Sequence, residues 1–369
     1  MGDGKHPGGC SSFKLRNQQV VRGKAMNILV SDKLHKTPVY DVYWRFAVER
    51  QNIFFNRLLG EETPWTRDSV MGKYKFTNAY RVLDRVSQFL ISNIINPDVG
   101  GGLSNEDRIF RILIYKIFNK IETWQLLENS LGEVSWERYS FQEYDRVLSA
   151  AFRNGTSIYS AAYIMASGKN IFGCERKHQN HLKLLEYMMD TDIIMRVRLS
   201  SSMAQLCDVL ISYPLVGPFL AYQYATDINY SGLTNFSEED FVIAGPGARD
   251  GITKCFSDRG SHSDEDIIRF MMENQDAECE RLGLNFKSLF GRPLQLIDCQ
   301  NLFCEVGKYA RVSHPQIKDK SGRVKIKQIY RTSGDLPTPS FPEKWGLSTA
   351  VQAFLDTHRV ETKRAMGKR

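Results

Sequence analysis

Two polar stripes stand out among the residues that could carry out chemistry. At about 100° per residue, Asn78, Arg81 and Arg85 fall on one face of a predicted helix over 75–95, opposite an apolar face. Arginine side chains in a row can clamp a phosphate through paired hydrogen bonds. We therefore predict a phosphate-binding face here, and we include Lys75 at its start.

The second stripe lies on a predicted helix from 293 to 311. Asp298, Asn301, Glu305 and Lys308 share one face of it, and this mixture of acid, amide and base suits proton transfer at a bound substrate. Most amphipathic helices carry polar faces only because water covers them. A solvated face is therefore the alternative for both stripes.

An acidic segment followed by a glycine-rich turn is a third candidate. Asp240 is followed by Gly245, Gly247 and Arg249. A carboxylate beside the backbone N–H groups of such a turn suits acid–base work next to a phosphate. The turn is not a P-loop, because no Gly-Lys-Ser/Thr sequence ends it, and it lacks the Rossmann spacing. A solvated acidic cluster before an ordinary turn is equally consistent with the sequence.

A short apolar turn over 214–218 separates two helical stretches and resembles a helix-hairpin-helix element. In such elements the backbone N–H groups at the start of the second helix meet a DNA phosphate. We assign this role to Gly217 and Pro218. The match is partial, because Leu215 stands where the usual pattern has its first glycine, and a tight turn between two core helices is equally consistent. Phe219 replaces the lysine of lyase-type glycosylases, which argues against Schiff-base chemistry.

The elements that must position these groups are predicted to be helices. Apolar residues recur at helical spacing, and Ser104 and Ser140 each precede an acidic residue by three positions, as in a capping box. Gly132 and Asn154 are predicted stops, and a further helix is predicted to start near Asp264. The alternation typical of strands is rare. The predicted fold class is therefore all-α.

The composition divides the chain into three parts. A flexible N-terminal arm, a helical domain and a basic C-terminal extension are predicted over 1–38, 39–312 and 313–369. Lysines and arginines crowd between 318 and 331, where Lys325 and Lys327 are predicted to contact DNA. A short helix is predicted over 347–358 near the end of the extension.

The composition also excludes several classes of protein. A net charge of +7 fits an anionic partner such as DNA. The 7 cysteines include no C-x-x-C pair and the 7 histidines form no zinc pattern, so we predict no disulfide framework, no metal site and no cofactor. No apolar run of membrane length and no secretory signal occurs. A cytoplasmic or nuclear protein without membrane contact is expected.

Several motifs combine into a pattern typical of one family. The segments are 49–54 with Arg57, 64–68, 74–81, 225–230, 244–248 and 298–305. In these segments the sequence resembles the alpha-glutamyl/putrescinyl thymine pyrophosphorylase family, whose helical domain is also called the 5-hydroxymethyl-deoxyuridine DNA kinase helical domain. The resemblance covers residues 40–312. It implies a fold like that of the helix-hairpin-helix DNA glycosylases.

The resemblance further implies a transferase or pyrophosphorylase-like enzyme of DNA hypermodification. Such an enzyme acts on a flipped-out 5-hydroxymethyluracil derivative and replaces its pyrophosphate by an amine from an amino acid or a polyamine. Its partners are therefore DNA and an amine co-substrate. The substrate and its pyrophosphate require polar or cationic groups, assigned to Arg57, Lys75, Asn78, Arg81, Arg85, Arg249 and Lys308. The amine requires a carboxylate, assigned to Asp227, Asp240, Asp298 or Glu305.

The chain contains no Walker A sequence. A separate 5-hydroxymethyluracil DNA kinase would therefore have to supply the activated base. Two alternatives remain open, a base-excising DNA glycosylase and a non-catalytic DNA-binding module. The hypothesis of a DNA hypermodification enzyme predicts that the Arg81/Arg85 face, the Asp240 turn and the Asp298/Glu305 face surround one cleft. It also predicts that the Gly245 and Gly247 turn contacts DNA.

Overall fold

A computed structural model describes residues 34–98, 102–319, 321–331, 334 and 336–366. Within this part the only sheet has two antiparallel strands, β1 (His35–Lys36) and β2 (Phe256–Asp258). The α-helices are α1 (Pro38–Leu58), α2 (Ser69–Lys73), α3 (Arg85–Phe89), α4 (Asn105–Phe118), α5 (Ile121–Leu131), α6 (Phe141–Arg153), α7 (Lys169–Phe172), α8 (Lys177–Asp190), α9 (Ile193–Leu199), α10 (Met203–Ile211), α11 (Pro218–Tyr230), α12 (Pro246–Cys255), α13 (Asp264–Glu273), α14 (Gln275–Arg281), α15 (Leu296–Ser313) and α16 (Ser348–Met366). The predicted all-α class is confirmed.

Most helices begin where the sequence indicates. Ser104 caps α4 by accepting the N–H of Asp107 at 3.0 Å, and Ser140 caps α6 in the same way. Two predicted helices are each split into two. Asn119, with a φ of +49°, ends α4 before α5 begins, and Asn274 separates α13 from α14. Asparagine tolerates the left-handed region better than most side chains, which explains the first break.

Helix α15 is packed between α1 and α12. From α1, the hydroxyl of Tyr43 donates to the carbonyl of Cys299 at 3.1 Å, and its ring lies 4.8 Å from that of Phe303. From the other helix, α12 approaches through Gly251, which faces Gly307 of α15. These contacts fix the direction in which the polar side of α15 points.

The segment 75–95, predicted as one amphipathic helix, is interrupted by an irregular stretch, a 3-10 turn and a π turn. The backbone N–H of Asn78 donates to the carboxylate of Asp84 at 2.8 Å, and such local bonds compete with a helical ladder. The prediction that Arg81 and Arg85 share one face is therefore wrong. Arg81 is buried and Arg85 is exposed.

The basic C-terminal part packs against the helices. Tyr74 and Ile329 form an antiparallel bridge, and the buried ammonium of Lys254 pairs with Asp319 at 3.3 Å. Helix α16 confirms the predicted terminal helix and extends beyond its predicted end. The division into three domains stays a prediction.

The predicted N-terminal arm lies outside the described residues, apart from 34–38. Lys320 of the basic segment is outside them as well. None of the helices in the described ranges combines the length and the hydropathy needed to cross a membrane.

Candidate functional site

The carboxylate of Asp227 on α11 lies buried between two cations. Its Oδ1 is 2.7 Å from Nη2 of Arg81, its Oδ2 is 2.6 Å from Nζ of Lys116 on α4, and each side chain is 3% exposed. Gln223 lies one helical turn before Asp227 and accepts a hydrogen bond from Nε of Arg81 at 3.1 Å. We call Asp227, Arg81 and Lys116 the Asp227 centre.

The charges of the Asp227 centre do not balance. Burial opposes ionisation of Asp227, but Arg81 and Lys116 outweigh it and hold its pKa below the usual value. Burial lowers the pKa of Lys116 to about 8, so most Lys116 side chains keep their proton at neutral pH. Two cations therefore share one carboxylate. In addition, Nη1 of Arg81 and Nε2 of Gln223 are buried without a hydrogen-bond partner among the described residues.

Asp298 holds Arg81 in place through the backbone. The N–H of Arg81 donates to Oδ1 of Asp298 at 2.7 Å, and the N–H of Gln295 donates to Oδ2 at 3.0 Å. Burial raises the pKa of Asp298 to about 7, although these two hydrogen bonds lower it. Asp298 thus caps α15 and ties the Arg81 turn to that helix. This contact gives it a positioning role beside the Asp227 centre.

A second carboxylate with two cations adjoins this centre. Glu238 is 7% exposed and lies 3.1 Å from Nη2 of Arg292. Burial raises the pKa of Glu238, while Arg292 and Lys344 and a hydrogen bond from Trp345 oppose that rise. We call Glu238, Arg292 and Lys344 the Glu238 cluster.

The ring of Tyr230 connects the two groups of charges. The guanidinium carbon of Arg81 lies 5.5 Å from the ring centroid, and the ring of Trp345 packs edge-on at 5.5 Å. Tyr230 follows Asp227 on α11, which explains how one helix reaches both groups. The two groups together hold four cations, two paired carboxylates and the partly ionised Asp298.

An irregular segment over 155–168 covers the Lys116 side of the Asp227 centre. Tyr163 has a φ of +55°, and its half-buried ring lies 4.5 Å from Nζ of Lys116. The next residue, Ile164, is 72% exposed. A bulky residue in the left-handed region is held there by its surroundings. Tyr163 therefore separates Lys116 from solvent.

His181 of α8 anchors this segment at two points. Its Nδ1 lies 2.9 Å from the hydroxyl of Tyr159, and its Nε2 lies 2.7 Å from the carbonyl of Ala166. A neutral ring with its proton on Nε2 satisfies both partners. Burial lowers the pKa of His181 to about 4, although the hydrogen bond with the carbonyl of Ala166 opposes that shift.

Acidification should weaken the fold through His181. An unfolded histidine has a pKa of about 6.5, so between that value and about 4 the unfolded chain binds more protons than the folded one. The stabilising effect of the neutral ring is complete above the upper value and is lost as the pH falls through this window, by up to about 3 kcal/mol. Urea unfolding at pH 7 and pH 4.5 measures the loss, and His181→Gln should reduce it. An unchanged pH dependence in the variant would contradict the role given to His181.

Comparison with known proteins identifies the family. A family described as "5-hmdU DNA kinase, helical domain" matches residues 37–319. The chain belongs to this family. A curated relative, the 5-hmdU DNA kinase of Bacillus phage SP10, is 29% identical over 289 residues, which are 73% of this chain and 45% of the relative. The chain thus spans about half the length of that relative. No solved structure matches the chain.

The polar stripe of α15 forms hydrogen bonds with the backbone of the 75–81 segment. The N–H of Thr77 donates to Oε2 of Glu305 at 2.9 Å, and Lys308 donates to the carbonyl of Lys75 at 2.9 Å and pairs with Glu305 at 2.7 Å. Asn301 of the same stripe is buried. The stripe is therefore not a solvated face. It fixes the 75–81 segment that carries Asn78 and Arg81, while the side chain of Lys75 itself is exposed.

Not all predicted faces meet at one cleft. Arg81 and Asp298 do meet, but Arg85 pairs with the exposed Glu122 at 3.0 Å on the surface, because the 3-10 turn before it redirects the chain. The predicted convergence is therefore wrong for Arg85. Asp240 is also exposed, and its acidic neighbour Glu238 is the residue that turns inward.

Two further predicted phosphate-binding arginines have their own contacts. Arg57 at the end of α1 lies 5.0 Å from the ring of Trp65. Arg249 is exposed and lies 3.5 Å from the carboxylate of Asp264. Their roles as phosphate-binding residues stay predictions.

The apolar turn joins two helices that pack together, α10 and α11. Leu215 has a φ of +67°, a conformation that favours the glycine of the usual pattern. Gly217 is the N-cap of α11 and Pro218 its first residue. Gly217 thus lies between two packed helices as predicted, and its contact with DNA stays a prediction.

The glycine-rich turn that contains Gly245 and Gly247 lies in a closely packed place. Gly245 is the N-cap of α12, and a Cβ there would lie 2.5 Å from the ring of Phe219. A Cβ at Gly247 would overlap the sulfur of Cys304 on α15. Close helix packing therefore explains why glycine is needed, and a DNA contact of this turn stays a prediction. The predicted DNA contacts of Lys325 and Lys327, which are both exposed, likewise stay predictions.

Four residues of these two groups, Lys116, Gln223, Glu238 and Arg292, were not predicted from the sequence. Lys116 carried a usable signal, because it is the one charge in an apolar stretch over 112–118. Lysine is almost never fully buried unless it is paired. A charge at that position of an apolar helix indicates an internal partner.

Proposed function

We propose that the chain is an enzyme of thymine hypermodification in DNA. Its substrate is a flipped-out 5-hydroxymethyluracil derivative, and it replaces the pyrophosphate on that base by an amine from an amino acid or a polyamine. Membership of the family and the name of the phage relative support DNA carrying 5-hydroxymethyluracil as the substrate. The observation that carries the proposal is the excess of buried positive charge around Asp227.

The Asp227 centre suits an anionic group. Burying a second cation beside one carboxylate is costly unless a further anion compensates it. The unpartnered Nη1 of Arg81 and Nε2 of Gln223 are donors of the kind that bind phosphate oxygens. A phosphorylated base entering between α4 and α11 would balance the charge and use these donors.

The reaction requires one bond to break and one to form. The bond between the 5-methylene carbon and the pyrophosphate oxygen breaks, and the pyrophosphate leaves with the electron pair. The amine nitrogen bonds to the same carbon and loses a proton to a carboxylate. Arg81 and Lys116 stabilise the negative charge that develops on the leaving group.

Glu238 is better suited than Asp227 to accept the proton of the amine. Two cations hold the pKa of Asp227 low, which makes it a weak base that mainly balances charge. The raised pKa of Glu238 makes it a stronger base, and the charge of Arg81 in the Asp227 centre acts on it. Asp240 and Glu305 are weaker candidates, since one is exposed and the other is bound to backbone.

The DNA contact is proposed at the turn before α11. The N–H groups at the start of α11 lie at the N-terminus of the helix that carries Asp227, so a phosphate bound there would bring the strand to the site. We thus propose that the turn before α11 contacts DNA in the way that the helix-hairpin-helix element of DNA glycosylases does. Lys325 and Lys327 would add phosphate contacts that weaken as salt rises.

One assay separates the possible activities. The full chain is incubated with duplexes that contain 5-hydroxymethyluracil or its pyrophosphate ester, with candidate amines or with ATP, and the nucleosides are analysed by mass spectrometry. An amine adduct from the ester is expected. Lys116→Met should lower its rate by at least tenfold through loss of charge stabilisation, with circular dichroism as the check on folding.

The other products contradict the proposal in different ways. A phosphate ester formed from ATP would make the chain a kinase, although it contains no Walker A sequence. A released base would favour the glycosylase alternative, which the turn before α11 also suits. If no product forms but DNA binds, the chain is a binding module. The expected dependence on a pre-formed ester means that a separate kinase supplies the substrate.

A further inference from the structure

A short segment of the C-terminal part, 340–345, lies against the helical body. The side chain of Gln88 forms two hydrogen bonds with the backbone of Ser340, each 2.9 Å long. Phe341 is buried, and its ring stacks on that of Trp345 at 6.2 Å. The segment is thus fixed beside the Glu238 cluster.

Lys344 leaves this segment towards the cluster. Its Nζ lies 3.2 Å from Oδ1 of Asn229 and 3.0 Å from the carbonyl of Thr234. An ammonium group has three N–H donors, so one is left for a ligand. Partial burial lowers the pKa of Lys344 to about 8, while Glu238 opposes that shift. At neutral pH the group is therefore mostly charged.

Arg292 supplies the second cation. Its guanidinium carbon lies 3.9 Å from the ring centroid of Trp345, and its Nη2 lies 3.1 Å from Glu238. As in the Asp227 centre, an arginine pairs directly with one carboxylate and an aromatic ring covers a cation, whereas Lys344 is bound to Asn229 and Thr234 and acts on Glu238 through its charge. The two differ in access, because the side chain of Arg292 is 21% exposed whereas that of Arg81 is 3% exposed. An anion arriving from solvent meets the Glu238 cluster first.

We propose that Lys344 and Arg292 form an anion-binding position of the substrate site, which holds a phosphate group carried by the base. The inference rests on the proposed function, since it takes a phosphorylated pyrimidine in DNA as the ligand. It assigns part of the site to residues beyond 37–319, the range that the family matches. Lys344 and the wall formed by Trp345 come from that additional part of the chain.

The test compares two duplexes that differ by one phosphate. Each contains a single 5-hydroxymethyluracil, free in one and as its phosphate monoester in the other, and binding to the full chain is measured by fluorescence anisotropy. The wild type should prefer the ester. Lys344→Met should reduce that preference about tenfold, because a hydrogen bond to a charged group is lost. Lys344→Arg should restore most of it, and Lys183→Met, at a surface lysine of α8, should leave it unchanged.

Each other result has a distinct meaning. If Lys344→Met keeps the full preference for the ester, Lys344 is not part of the site and the inference is overturned. If it weakens both duplexes equally, Lys344 is a general DNA contact or a structural residue, which also overturns the inference. If the wild type itself shows no preference, the proposed function fails first. Thermal unfolding of both Lys344 variants checks that the protein remains folded after each substitution.

Discussion

Replacing Asp227 by asparagine should lower the free energy of unfolding by about 3 to 5 kcal/mol. The substitution keeps the shape of the side chain but leaves Arg81 and Lys116 without their shared carboxylate, in surroundings where each side chain is 3% exposed. Asp227 also raises the pKa of Lys116, so its loss should lower that pKa further. Lys116 can then release its proton, whereas Arg81 cannot. Most of the lost stability then comes from the buried guanidinium of Arg81, which stays charged without its carboxylate partner.

Two further variants make this result specific. Lys116→Met leaves a one-to-one pair of Arg81 and Asp227, so it should cost clearly less than Asp227→Asn in urea unfolding at neutral pH. Asp208→Asn, at an exposed aspartate of α10, should change stability by less than about 0.5 kcal/mol. If Lys116→Met were the more damaging of the two buried changes, the excess of positive charge at Asp227 would be disproved.

Local features of the fold could be predicted from the sequence. The all-α class, the caps at Ser104 and Ser140 and the turn at Gly217 all depend on residues that are neighbours in the chain. Periodicity and capping report such local preferences directly. The prediction of one helix over 75–95 was wrong because side-chain hydrogen bonds around Asn78 compete with the helical hydrogen bonds. The spacing of the apolar residues, from which the helix was predicted, does not reveal these bonds.

The candidate site could be predicted only in part, because its contacts join distant segments. Asp227, Arg81 and Asp298 were identified by type, but nothing in the spacing pairs Arg81 with Asp227 or links it to Lys116. The polar stripe on α15 shows the limit most clearly. Periodicity indicates that Glu305 and Lys308 share a face, yet it cannot distinguish water from the backbone at Lys75 and Thr77 as the partner of that face.

The glycine contact between α12 and α15 supports the second large prediction. Gly251→Ala should destabilise the protein by about 3 kcal/mol, the upper end of the usual cost of overpacking. A Cβ at Gly251 would overlap the carbonyl oxygen of Phe303 and lie 2.6 Å from its carbonyl carbon. These are backbone atoms, so no side chain can rotate out of the way and the two helices must separate.

Two other glycines provide the controls for this effect in thermal or urea unfolding. Gly72→Ala in α2 meets nothing within 4 Å, and it should stabilise the protein by about 0.5 to 1 kcal/mol because alanine favours the helix. Gly247→Ala should fall between the two, since the thiol of Cys304 can rotate. Equal effects at Gly251 and Gly72 would show that α12 and α15 are not in backbone contact. Because α15 holds the Arg81 turn through Asp298, the separation caused by Gly251→Ala should also weaken binding of the phosphorylated duplex, whereas Gly72→Ala should not.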